Sequence, residues 1–206
     1  MTNHAVTIDD DTLQALYART SYLLRESRKT LLKRYAVADE EGLLGRIRAA
    51  EIATHPAYEH YLSARILGQM GAQVRAEMSA QLRGAEAPEE GSISAHWRLK
   101  EELETHYAQR MSEPVRLAQD ALLLAFDTGL MMEVRYFSAD EYALMWSWGD
   151  AELRIDTAAL DGRRLCGADG AQAQDSWTTP GTDCWRNFSG LLEVLLRDPL
   201  LSGAAG

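Results

Sequence analysis

From Asp11 to Phe126 apolar residues recur every three or four positions, and from Glu133 to Thr157 they alternate one by one. The first spacing is that of one face of a helix, the second that of one face of a strand. Helices followed by a compact block of strands give an α+β protein, because a parallel α/β fold would interleave the two. The pattern predicts a helical domain over residues 1–129. A smaller domain over 130–206, a β-meander with a C-terminal helix, packs on it.

A bundle of four to five helices is expected in the first part. Asp11 or Thr12 can cap a helix running to about Tyr35, with Leu13, Tyr17, Thr20, Leu24 and Leu31 as its stripe. Asp39, Glu40 and Glu41 begin a second helix, where negative charge complements free amide groups, and it must stop before Pro56. Pro56 suits the first turn of a third, read to Leu82. Its apolar residues, from Tyr58 and Leu62 to Met78 and Leu82, fall at a strict four-residue interval. Such a stripe winds around a cylinder that turns every 3.6 residues, so several neighbours must cover it. After a Gly-, Glu- and Pro-containing loop over 84–94, a fourth helix runs from Ala95 to Met111 and a fifth from Ser112 to Phe126.

The strands predicted next are Met131–Phe137, Tyr142–Trp148 and Glu152–Thr157, joined by tight turns at Ala139–Glu141 and Gly149–Asp150 as an antiparallel meander. Leu160 to Thr182, interrupted by Gly162, Gly167, Gly170, Pro180 and Gly181, reads as a long irregular loop. A last helix follows from Asp183 to Arg197, and Trp185, Phe188, Leu192 and Leu195 lie on one side of it.

Composition narrows the function classes. A formal charge of -10 over 206 residues opposes non-specific attraction to nucleic acid or an anionic membrane, and suits solubility or a basic partner. The longest apolar run, Ala121 to Phe126, is too short to cross a bilayer. Cys166 and Cys184 form no ligand pair and no disulfide framework, which fits a reducing cytoplasm. Signatures of phosphate loops, dinucleotide folds, nucleophile elbows and zinc sites are missing, so no cofactor is expected.

Four groups of residues could carry function. Arg25, Lys29 and Lys33 lie four apart and form an exposed ladder, either a solvated face complementing the helix dipole or a docking patch for an acidic partner. Tyr142, Leu144, Trp146 and Trp148 share one face of a strand, with Ala143, Met145 and Ser147 on the other. Aromatics so spaced are core, or else a platform for a flat ligand that Trp177 and Trp185 could complete. The pairs Glu51/His55 and Glu102/His106 each occupy one helical face, yet four-residue spacing is not the three-residue spacing of di-iron bundles, so no metal is expected. Cys166, after Arg163 and Arg164, could be a nucleophile only beside a base.

Partner binding needs a complementary surface and no short motif. The expected function is therefore that of a non-catalytic accessory protein binding another protein or a second copy of itself. Two alternatives stand beside it. One is an enzyme with Cys166, His55 or His106 under a 160–182 lid, and the other a ligand-sensing module with a pocket between helices and sheet.

Overall fold

A computed structural model describes residues 10–82, 95–158, 164–166, 172–174 and 183–202. Among the described residues four helices precede the sheet: α1 (Asp10–Arg34), α2 (Glu40–Arg48), α3 (Thr54–Leu82) and α4 (Ala95–His106). Asp39 caps α2 by accepting the Gly42 N–H at 2.9 Å, as the acidic start of that segment required. His55 and Pro56 depart from helical geometry, so the regular part of α3 begins at Ala57.

The mixed helix-and-sheet class stands, and its details are corrected. In place of a fifth helix over Ser112–Phe126 there are two strands, β1 (Arg116–Leu117) and β2 (Leu122–Ala125), after a 3-10 turn at Ala108–Arg110 that ends the fourth helix early. The run Ala121–Phe126 satisfies either period over so short a length; the turn at Asp127–Gly129, with Gly129 at φ +82°, returns the chain into a hairpin. Next come β3 (Met131–Ser138), β4 (Glu141–Trp148) and β5 (Ala151–Asp156), each within one residue of expectation at both ends. The segment read as an irregular loop contains two more strands, β6 (Arg164–Cys166) and β7 (Gln172–Gln174), and α5 (Cys184–Leu195) closes the fold. Among the described residues the sheet thus has seven strands in sequential antiparallel order where three were expected.

Nor do the helices form one bundle. On one face of the sheet, α4 and α5 cover Leu122, Leu124, Met132, Val134, Tyr136, Leu144, Trp146 and Ile155, with Leu99, Leu103, Phe188, Leu191, Leu192 and Leu195 as their contribution. Against the other face lies the first half of α3, where Tyr58, Tyr61 and Leu62 join Leu32 of α1, Leu43 and Ile47 of α2, and Ala143 of β4. The winding stripe of α3 is covered as its geometry demanded, by α1, α2, β3 and β4 together.

Candidate functional site

Strand pairing arranges the second face of the sheet in rows. Cross-strand neighbours Arg116, Leu123, Glu133, Met145, Arg154 and Cys166 run from β1 to β6 in one line. Ala125, Met131, Ser147 and Glu152 form a second line beside it. A third line contains Ala143 and Asp156, and this is the one α3 covers. The first two are left open as a cleft of about 1070 Å³, walled by the α2–α3 connection from Ala50 to His55 and rimmed by Glu113 and Pro114. Its floor is soft and apolar at Leu123, Met131 and Met145, and Met131 is 58% exposed.

Beneath one end of the cleft lies a buried ion cluster. Arg154 places Nη1 3.1 Å from Oε1 of Glu59 and Nε 2.9 Å from Oδ2 of Asp156. Both carboxylates are almost wholly enclosed, at 4% and 3% side-chain exposure. Asp156 also accepts the Ala158 N–H at 3.0 Å, but burial outweighs these contacts and holds its carboxyl above the usual range. Oε2 of Glu59 has no hydrogen-bond partner among the described residues, and the Arg154–Asp156 contact is close without hydrogen-bond direction. His55, on the cleft wall, shares Glu59 at 2.9 Å. Nη2 of Arg154 meets Sγ of Cys166 at 3.6 Å, a weak acceptor for a strong donor. Burial pushes the Cys166 thiol up despite that guanidinium, so it stands protonated at neutral pH.

A second arginine centre borders the first. Arg135 contacts Glu133 at 2.5 Å and Asp120 at 3.2 Å, and donates to Ser63 at 3.0 Å. Glu51 pairs with Arg46 at 3.1 Å, while Glu152 has no ion-pair partner among the described residues.

The residues singled out from sequence do not gather here. Arg25, Lys29 and Lys33 are exposed on α1 outside the cleft, with the Arg25 guanidinium 5.6 Å from the Tyr22 ring. Arg28 instead turns to Glu40 in a two-pronged contact at 2.5 and 2.6 Å. Trp146 is 3% exposed in the core facing α5, and its Nε1 donates to the Pro199 carbonyl at 2.8 Å. Trp148 was expected in the same buried face but is 39% exposed, because β4 ends there; its Nε1 donates to the Thr128 carbonyl at 3.1 Å and ties down the β2–β3 turn. Trp177 lies outside the described residues.

The two Glu/His pairs are separated by the sheet. His55 sits at the cleft, whereas His106 pairs with Glu102 at 3.4 Å and lies 5.3 Å from the Trp185 ring on the α4–α5 side. Sequence reasoning had assigned Met145 and Ser147 to the second face without seeing that it was open. It missed Glu59, Arg154 and Asp156; the local signal was the alternation of charged Glu152, Arg154 and Asp156 with Ala151, Leu153 and Ile155, which puts three charges on one face of β5. The chain matches no protein-family model, no curated protein and no solved structure.

Proposed function

We propose that this protein is a non-catalytic accessory protein that holds another protein through the cleft on the second face of its sheet. The observation that carries this reading is the uncovered double row of β-strand side chains: Leu123, Met131 and Met145 present apolar surface where α3 leaves the sheet bare. Exposed apolar surface ringed by polar groups is the ordinary form of a recognition site, and methionine adapts to the shape of what it meets. The cleft chemistry favours holding over reaction. Cys166 is a protonated thiol, and Arg154 is tied to two carboxylates. A cytoplasmic site of action accords with free Cys166 and Cys184, and the acidic balance disfavours nucleic acid as the partner.

Affinity capture from the native extract tests this with two variants. Met131→Ser removes apolar surface at an exposed position without charging it, and Lys29→Glu alters the α1 ladder. A stoichiometric protein retained by the wild type and by Lys29→Glu, and lost by Met131→Ser, supports the cleft. Equal retention by Met131→Ser overturns it.

A further inference from the structure

We infer that the segment this cleft takes is basic and apolar: an extended stretch of a partner protein in which lysine or arginine alternates with large aliphatic side chains. The inference rests on the partner-binding reading above and adds the chemistry of the partner.

Length comes from the register. From Arg116 to Cys166 the open row crosses five strand-to-strand steps, which at ~4.8 Å each is roughly 24 Å. An extended chain covers that distance in about seven residues at ~3.4 Å per residue. A small free amine would fill only a fraction of a 1070 Å³ cleft, so a chain segment fits the space better.

Sign comes from the charges around the cleft. Among the described side chains the Arg154 centre holds one more carboxylate than guanidinium, Glu59 and Asp156 against Arg154. In the Arg135 centre the same imbalance recurs, with Glu133 and Asp120 against Arg135. Glu152, with no ion-pair partner among the described residues, adds a carboxylate on the second row, Glu51 is matched by Arg46, and Glu113 and Arg116 offset each other at the rim. Low-dielectric walls focus such a field on the cleft, and the chain as a whole adds to it with its net charge of -10. The apolar component comes from Leu123 and Met145, which lie between charged positions in the first row, and from Met131, which lies between Ala125 and Ser147 in the second. Nη2 of Arg154, whose hydrogen-bond partner among the described residues is the weak acceptor Sγ of Cys166 at 3.6 Å, can exchange it for a carbonyl of the incoming backbone.

Four capped heptapeptides titrated into the full chain test this: alternating Lys and Leu, Glu and Leu, Ser and Leu, and Lys and Ser. Calorimetry gives affinity, and carbon-13 methyl NMR of Met131 and Met145 reports the place. The Lys/Leu peptide should shift both methyl signals, bind roughly tenfold tighter than the Ser/Leu peptide, and weaken as salt shortens the Debye length. Glu152→Lys, an exposed change that leaves the circular dichroism spectrum intact, should weaken the Lys/Leu peptide by about three- to tenfold. If Glu/Leu or Ser/Leu binds as tightly and shifts the same methyls, the cleft remains a partner site and the basic class is wrong. If Lys/Ser binds equally to Lys/Leu, the apolar half of the inference is wrong. Should no peptide move the Met131 and Met145 signals, both this inference and the cleft reading fall.

Discussion

His96 offers a test of the packing that leaves the second face free. It is 3% exposed on α4, and its Nε2 accepts the Tyr136 N–H of β3 at 3.0 Å, joining helix to sheet. Burial presses its pKa from 6.5 down to about 4, so the folded protein holds the ring neutral. The sign follows from linkage. Between pH 6.5 and about 4 the unfolded chain binds a proton that the folded chain refuses, so stability is full above that window and is lost as pH falls through it. At 1.36 kcal/mol per unit, the shift from 6.5 to about 4 implies a loss of about 2 kcal/mol between about pH 7.5 and about pH 5. His96→Gln keeps an acceptor near the Tyr136 N–H and does not titrate. Urea unfolding of wild type and variant at both pH values cancels every other ionisable group. The wild type should lose about 2 kcal/mol more than the variant on acidification. Parallel pH profiles would refute the reasoning, since an accessible imidazole would titrate alike folded and unfolded.

Trp146→Ala should destabilise by about 3–5 kcal/mol and lower the urea midpoint by roughly 1–2 M, because it opens a cavity beneath α5 and leaves the Pro199 carbonyl unpaired; a shift no larger than that of Trp148→Ala counts against the core assignment. Arg154→Met should cost about 3–5 kcal/mol at neutral pH by stranding Glu59 and Asp156. Since burial already raises the Asp156 carboxyl, which favours the folded state as pH falls, the deficit should be smaller at about pH 5 than at about pH 8, and a constant deficit argues against buried charge as its cause. Replacing Arg25, Lys29 and Lys33 together with Glu should change unfolding free energy by less than about 1 kcal/mol, because exposed charges contribute little. The same variant should keep the partner; its loss in a binding-kinetics assay would move the docking surface to the α1 ladder.

Local pattern carried the elements wherever a segment was long enough to express one period. The three strands from Met131 to Asp156 and the helices at α1, α3 and α5 lie within a few residues of the positions read from alternation, caps and stripes. Asp39 and Asp183 cap their helices because a short side-chain oxygen reaches an amide three residues on, a contact written wholly in local sequence. Leu122–Ala125 failed for the opposite reason. Four apolar residues satisfy both periods, and only pairing with β3 through Leu122–Val134 and Leu124–Met132 decided for the strand. The three-residue strands Arg164–Cys166 and Gln172–Gln174 are equally short, and they exist by extending a sheet already formed at β5.

The site was decided by tertiary structure alone. Alternation placed Met145 and Ser147 on one face, but whether that face is bare depends on where α3 stops covering it, a matter of helix placement that no local period encodes. Glu59 and Arg154 are 95 positions apart, and neither is unusual in its own helix or strand. Their cluster exists because α3, packed on β3 and β4, brings Glu59 to Arg154 on the same face of β5 as Asp156, where burial makes each charge depend on the other for its place in the fold.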